Sequence, residues 1–572
     1  MIETKGLTGG EALLHVLGGM GVERIFASPG SEWSPVWEYL ANPNPRPETI
    51  PFYLSCRHEE TAVAMASGYA KASGKLPAVM IHTTVGSLHA SMALRGALHE
   101  RIPMVVLSGE SIGFGEDEGP DVGGQWLRHL ADIGGPARLV ERCVKWSFGI
   151  NNKAILPATI QRACQLAMAT PRGPAFVSLP MEFLFDKMIS NAPASSALPH
   201  QPIADPKGIE ELAGLLAEAK NPIIITEEAG RSVASVDRLI EVAELLGAPV
   251  VETRSTTFGN FPRRHPLHAG FDPREYLNEA DLVFLLAAVG PWHPPSAGPG
   301  TGVKIVVLDE DPLHAELPFW GYPIDLCLTG EVEGSLTLLV EQLKRRISSG
   351  DPIRADQAKQ WSKRSQERRQ AWRKEALAVK DLKPIDTRWA VYELSQVLPS
   401  DAMVVEETIT HRLAVHRYLD ALKPGSFFAG CTGGLGTGLG TALGVKAAAP
   451  KRPVIALIGD GSFNYNPALA ALGFAQEYKM PILIVLLNNQ GYLSMKSGLP
   501  RYYPEGWSMR AKKFIGTSIT PSPDYAAIAR AFDGHGEKVE EPGEVRRALE
   551  RGLKAVAGGQ LALIDIRLEA VN

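Results

Sequence analysis

Residues 454–489 read VIALIGDGSFNYNPALAALGFAQEYKMPILIVLLNN. An apolar, β-branched run ends in Gly459-Asp460-Gly461-Ser462, a helix-forming stretch follows, and a second apolar run ends in Asn488-Asn489. Strands that are apolar on both faces belong to parallel sheets covered by helices on both sides. The stretch is therefore a strand–helix–strand unit, and GDGS and NN share one edge of its sheet. Working outward, runs of the same kind are RIFASPG (24–30), PAVMIHTTVG (77–86), MVVLSGE (104–110), PAFVSLP (174–180), PIIITEE (222–228), PVVETRS (249–255), DLVFLLAAV (281–289), VKIVVLDED (303–311), AMVVEE (402–407) and LALIDIRLE (561–569). Repeated units of this type predict an α/β protein of doubly wound parallel sheets. In such sheets ligands lie beyond the carboxyl ends of the strands.

Two breaks divide the chain. NAPASSALPHQPIADPKG (191–208) is proline-rich and poor in large side chains, as linkers are. Residues 348–384 centre on DQAKQWSKRSQERRQAWRKEALAV, a charged helix former that suits a solvated linker helix or, alternatively, an anionic partner. Three doubly wound domains are expected: 1–190, 200–347 and, after the 348–384 linker, 385–572. The outer two echo each other, since MIHTTVG…ERIPMVVLSGE and ALIGDG…EYKMPILIVLLNN share the pattern strand, glycine turn, helix, proline turn, strand. Such an echo is generic, yet it suits a duplication whose two copies face a shared cleft.

Composition removes several classes. Of 572 residues 45% are hydrophobic and 21% charged, ordinary for a globular protein with large cores. A net charge of -5 gives no basic field for nucleic acid. Cys56, Cys143, Cys164, Cys327 and Cys431 form no CxxC pair, which argues against a disulfide framework or zinc site and suits a reducing cytoplasm. No apolar run reaches the ~18 residues of a membrane span, and MIETKGLTGGEALL lacks a signal-peptide core.

Chemistry concentrates at strand ends. Glycines 459 and 461 let the backbone approach a diphosphate, and a helix N-terminus there supplies N–H donors. Asp460 and Asn489 offer the hard oxygen ligands that Mg²⁺ accepts. The GDGS–NN pair resembles the thiamine diphosphate motif of the acetolactate synthase, pyruvate oxidase and 2-keto acid decarboxylase superfamily. That resemblance implies a metal site of Asp460, Asn489 and the Gly491 carbonyl, and a cofactor site that includes Gly459, Gly461, Ser462, Tyr492 and Leu493. Cys56-Arg57-His58-Glu59-Glu60-Thr61-Ala62 followed by Met65-Ala66-Ser67-Gly68-Tyr69-Ala70 resembles the family segment whose first Glu hydrogen-bonds the aminopyrimidine ring. Glu59 takes that role, driving the ring toward its imino tautomer; a solvated Glu pair at a helix start is the plainer reading. Gly433-Gly434-Leu435-Gly436, after a further strand run SFFAGC, matches the turn whose bulky apolar residue props the cofactor in a bent shape, here Leu435 beside Gly434. Thr410, after AMVVEE, falls where the family meets the diphosphate.

Three positions resemble benzoylformate decarboxylase: Ser31 of PGS for the substrate carboxylate, His82 of MIHTTVG, and His293 of AAVGPWHPPS. Imidazoles titrate near neutrality, so they suit proton transfer between successive steps. Singly, each has a bland alternative: Ser31 a helix cap, the histidines structural hydrogen-bonders. Gln490-Gly491-Tyr492-Leu493-Ser494-Met495-Lys496, the glycine-rich acidic stretch 111–126, and Tyr502-Tyr503-Pro504-Glu505 with Trp507 as a lid depart from that enzyme. The central segment has LDEDP but no GxGxxG, so no redox role is expected of it. The resemblance implies a thiamine diphosphate- and Mg²⁺-dependent lyase that decarboxylates a 2-keto acid, or cleaves a related 2-hydroxyacyl substrate. It also implies a cytoplasmic homodimer or homotetramer, since in relatives the cofactor lies between subunits. An acetolactate synthase-like carboligase, a flavin oxidase and a non-catalytic regulatory subunit are the alternative readings.

Overall fold

The apolar runs become buried parallel strands in the computed structural model, which describes residues 2–44, 49–110, 132–193, 197–315, 317, 321–430 and 433–571. Cys431 and the acidic stretch 111–126 lie outside the described residues. The first sheet holds β1 (Arg24–Ser28), β2 (Phe52–Ser55), β3 (Ala78–Ile81), β4 (Met104–Glu110), β5 (Trp146–Gly149) and β6 (Pro174–Pro180), in the order β2-β1-β3-β4-β6-β5. The central sheet holds β7 (Pro222–Thr226), β8 (Val250–Glu252), β9 (Leu282–Leu286), β10 (Lys304–Asp309) and β11 (Leu326–Thr329), ordered β11-β10-β9-β7-β8. The third holds β12 (Met403–Glu407), β13 (Phe427–Ala429), β14 (Val454–Gly459), β15 (Leu483–Asn488), β16 (His535–Val539) and β17 (Ala562–Arg567), ordered β13-β12-β14-β15-β17-β16. Counted from its own first strand, each outer sheet runs 2-1-3-4-6-5. The three-sheet α/β architecture is the one expected, and the echo between the outer segments extends to their full strand order.

Four strands have no counterpart among the runs read from the sequence: β2, β5, β11 and β16. All four are sheet edges. An edge strand has one open flank and packs fewer neighbours, so its residues stay half-exposed and no continuous apolar run is needed. FYLS and LCLT each keep a single buried position.

Packing groups the chain into two units. One comprises Met1–His200 with Thr432–Lys451 and Asn464–Met480; the other comprises Gln201–Cys431 with Arg452–Phe463 and Pro481–Asn572. In the first unit the helix Glu59–Ser73 lies against the helix Gly438–Ala448. A side chain at Gly68 would overlap the Thr441 carbonyl, and one at Gly444 the Met65 carbonyl, so glycine is what lets these backbones touch. The second unit holds the central and third sheets. Thr257 and Phe258 run antiparallel beside β13, the Ala429 N–H donating to the Thr257 carbonyl at 2.9 Å, which covers that open edge. The helix Pro352–Ala378 buries Arg354, Ser365 and Ala376 and tethers to the central segment, Arg354 donating to the Ala217 carbonyl at 2.6 Å and Ser365 to that of His268 at 2.9 Å. Among the described residues Cys56, Cys143, Cys164 and Cys327 are free thiols, and no helix is long and apolar enough to cross a membrane.

Candidate active site

In the first unit the chemistry gathers where β1 and β3 diverge, the point at which strand order reverses and a crevice opens. The chain leaves β1 through Gly30-Ser31-Glu32 and leaves β3 at His82; Ile81 is in register with both Ser28 and Ser108. The His82 N–H donates to the Ser28 carbonyl at 3.3 Å, and Ser108 Oγ donates to the His82 carbonyl at 3.1 Å. These bonds fix the residue's backbone. Its side chain is fixed by Glu32, whose two oxygens each lie 3.1 Å from Nδ1. Glu32 is fully buried, an expensive place for a carboxylate without a partner. The pair settles both groups, His82 holding its Nδ1 proton toward Glu32. Burial lowers the His82 pKa, but the hydrogen bond and charge of Glu32, with the charge of Glu59, raise it further, leaving it above its ordinary value.

Glu59 opens its helix, with His58 as the preceding cap accepting from the Glu60 N–H at 3.2 Å. Unlike a solvated helix-start glutamate, its side chain is only 14% exposed. A Cβ built on Gly86 would lie 3.0 Å from His82 Cβ and 3.3 Å from Glu59 Oε1, so the two side chains flank the same glycine. On its other side Glu59 Oε2 is 3.2 Å from His89 Nδ1, and His89 stacks on His58 with ring centroids 5.4 Å apart. The structure thus brings Glu59 and His82 together and places Ser31 on the crevice loop one residue before Glu32. The Gly30 cap of the short turn Ser31–Trp33 uses no side chain, so Ser31 is not a helix cap. In the same unit Gly434 and Leu435 lie on the turn before the helix Gly438–Ala448, where a side chain at Gly434 would overlap Met92.

In the second unit the equivalent crevice lies between β12 and β14. Asp460 starts a helix at the end of β14, is 2% exposed, and accepts from the Gly491 N–H at 3.0 Å through Oδ2. Burial pushes its carboxyl up to about 6, against the backbone N–H groups of Gly461, Gly491 and Asn489 that favour the charged form. Asn488 and Asn489 point differently. Asn488 Nδ2 donates to Asp565 Oδ1 at 2.8 Å, a structural tie. Asn489 Oδ1 accepts from the Gly491 N–H at 3.2 Å, on the side of Asp460. Between Asn489 and Gly491, Gln490 adopts φ 57, a strained conformation of the kind that persists where surrounding structure demands it. A side chain at Gly491 would overlap the Thr517 carbonyl. Gly459 ends β14 and Gly461 and Ser462 stand in the first turn of the helix Asp460–Tyr465, with the Tyr492 ring against Gly461, and Leu493 opens the helix that follows. Two hard oxygens and a cradle of glycine backbone fit a divalent cation with a diphosphate.

His411 completes this cluster and carries no motif of its own. Asn489 Nδ2 lies 3.2 Å from His411 Nε2, and Thr387 Oγ1 lies 3.0 Å from Nδ1. Burial holds the His411 pKa down at about 4, despite Asp386 and Glu406, so the ring is neutral and Nε2 accepts from the amide. That fixes Asn489 with its oxygen toward Gly491. Thr410, the expected diphosphate neighbour, sits beside it in the turn Ile409–His411. Glu406 is buried in an ion pair with Arg412 at 2.8 Å and accepts from the Thr408 N–H at 2.6 Å. His293 stands exposed on the loop after β9. Tyr502, Tyr503 and Trp507 are exposed.

A crevice at each strand-order reversal, one lined by a carboxyl and an imidazole and the other by oxygen ligands and glycines, defines an enzyme that depends on a diphosphate-bearing cofactor. Three family profiles match: the thiamine pyrophosphate enzyme N-terminal TPP binding domain over residues 7–115, the central domain over 209–339, and the C-terminal TPP binding domain over 409–566. The chain belongs to the thiamine pyrophosphate enzyme family. It is 26% identical to the benzoylformate decarboxylase of Pseudomonas aeruginosa, covering 98% of this chain and 99% of that one. It is also 26% identical to the acetolactate synthase isozyme 3 large subunit of Escherichia coli, covering 98% and 95%. In fold it matches the thiamine diphosphate-dependent 4-hydroxybenzoylformate decarboxylase of Rhodococcus jostii with a TM-score of 0.80 at 24% identity, over 98% and 99% of the two chains.

Proposed function

We propose that this thiamine diphosphate-dependent enzyme also requires Mg²⁺ and is a carbon–carbon lyase that converts a 2-keto acid to an aldehyde and carbon dioxide without oxidation, or cleaves a related 2-hydroxyacyl substrate. The observation that carries the reading is the Glu32–His82 pair set beside Glu59. Bound, the cofactor supplies an electron sink for the pair left when the bond to the carboxylate breaks. Glu59 meets the aminopyrimidine ring and holds a proton there. Asp460, Asn489 and the Gly491 carbonyl hold Mg²⁺; the backbone of Gly459, Gly461 and Ser462, with Thr410, receives the diphosphate. Gly434, Leu435, Tyr492 and Leu493 complete the cofactor's seat. Ser31 orients the substrate carboxylate. His82, steadied through Nδ1, moves protons at Nε2, and His293 is the second proton carrier. The protein works in the cytoplasm as a homodimer or homotetramer.

The equal identity to an acetolactate synthase supports a second reading, joining of two keto acids. One experiment separates them. Protein, cofactor and Mg²⁺ are incubated with single 2-keto acids and 2-hydroxyacyl thioesters, and products are read by mass spectrometry. Aldehyde release is the expected result; a 2-hydroxy-3-keto acid with one carbon fewer than the two keto acids together, the lost carbon leaving as carbon dioxide, establishes the carboligase instead, and no turnover of any member rejects both.

A further inference from the structure

The mechanism leaves unused a basic cleft in the second unit, of about 400 Å³, between the helix Pro352–Ala378, the helix Arg412–Tyr418 and the loop after β8. Four guanidinium groups line it, those of Arg264, Arg369, Arg373 and Arg417, against one carboxylate, Asp420. Asp420 is already engaged, accepting from Arg264 at 3.0 Å and from Ser395 Oγ at 3.3 Å. Elsewhere on the same long helix two arginines are spent on structure: Arg354 on the Ala217 carbonyl, Arg364 on Glu279 at 2.7 Å. Within the cleft Arg369 reaches only neutral oxygens, the Arg264 carbonyl at 3.2 Å and Ser365 Oγ at 3.1 Å among them, and Arg417 rests over the Trp372 ring at 5.7 Å. Arg369, Arg373 and Arg417 have no ion pair among the described residues. Burial, with the charges of Arg368 and Arg264, depresses the Arg369 pKa despite Asp420. Gln366, Gln370 and Gln396 add amide donors to the wall.

We infer that this cleft binds a small molecule carrying two or more phosphates, at a site separate from the one that takes the cofactor. Convergent guanidinium groups match phosphate oxygens in planar, bidentate geometry. The volume is that of a nucleotide-sized ligand. The aromatic wall of Trp372, Tyr392 and Tyr418 gives a base a surface to lie on, and inorganic tripolyphosphate shares the anionic chemistry without the base.

The test is calorimetric titration of the full chain, saturated with thiamine diphosphate and Mg²⁺ so that the cofactor's own seat is filled. The probes are ATP, ADP and inorganic tripolyphosphate at low and high sodium chloride. The expected result is saturable binding that weakens with salt and falls at least about tenfold in Arg373→Gln/Arg417→Gln, because each removes a charge-assisted contact. Arg373 is exposed, so Arg373→Glu alone keeps the fold and should weaken binding as well. ATP binding tighter than tripolyphosphate assigns a nucleotide; equal affinities assign the phosphate chain alone. Asp460→Asn, whose cofactor seat stays empty, should bind the probes at the cleft no more weakly than the native protein does. Absence of saturable binding, affinities unchanged by the arginine substitutions, or loss of binding in Asp460→Asn overturns the inference.

Discussion

The first and third sheets wind their strands in the same order, yet the same strand ends carry opposite equipment. After the third strand of the first sheet comes His82, an imidazole steadied by a buried carboxylate; after the third strand of the third sheet comes Asp460, a buried carboxyl backed by glycines. After the second strand come Glu59 in one and the glycine turn 433–436 in the other. Topology selects where a crevice opens, and the residues set in it select its chemistry. The central sheet is a third case: its crevice, between β7 and β9, holds the half-buried Glu227.

That division of labour can be broken. Glu59→Gln should retain cofactor uptake and lose turnover by about a hundredfold or more, the range of a lost proton-transfer group; calorimetry and steady-state rates measure both, and full turnover would remove Glu59 from its role. Asp460→Asn should do the reverse, abolishing Mg²⁺-dependent uptake. Because burial sets the Asp460 carboxyl at about 6 and only the charged form ligates, native Mg²⁺ affinity should be constant above that pH and fall about tenfold per unit below it. A pH-independent affinity would mean that Asp460 is not a ligand.

A smaller effect sharpens the contrast within the first crevice. Glu32→Gln should lower turnover about tenfold and move the basic group's apparent pKa downward, since the Glu32 interactions are what raise His82. An unchanged pH–rate profile would show that His82 does not act in the rate-limiting step. His82→Ala is the poorer probe, because it strands the buried Glu32 charge at about 3–5 kcal/mol.

The smallest effect lies in the central sheet. Burial pushes Glu227 up to about 7, although Thr253 Oγ1 at 2.5 Å and the Val289 N–H at 3.2 Å favour its charged form. A carboxyl raised on folding contributes stability below its ordinary value and loses it as pH rises to the folded value. Glu227 should therefore cost the protein on the order of 1–3 kcal/mol between pH 4.5 and 7. In thermal melts Glu227→Gln should gain on the native protein as pH rises from 5 to 8, and equal pH slopes would refute this.

Both the three-sheet architecture and the cofactor motifs could be read from the chain, and for the same reason. Interior strands such as VIALIG must be apolar on both faces, and GDGS and NN lie at their ends. Edge strands such as WSFG and HGEKV escape such reading, because an open flank relaxes the demand for apolar residues. Glu32, His89 and His411 were invisible for a different reason. Each gains its meaning from a partner 50, 30 or 78 positions away, and nothing local in SEW, SLH or ITH marks it. In hindsight, a carboxylate and an imidazole placed just after two strands of one sheet are the available signal.

The glycine seam joining the helix Glu59–Ser73 to the helix Gly438–Ala448 also has a consequence for biosynthesis. The ribosome releases the first of these helices several hundred codons before the second, so the flank around Gly68 must wait uncovered while the middle of the polypeptide is made. A nascent fragment truncated before residue 438 would present that flank to chaperones or to other fragments, and the helix that Glu59 opens would gain its permanent neighbour only once Gly438–Ala448 has been made.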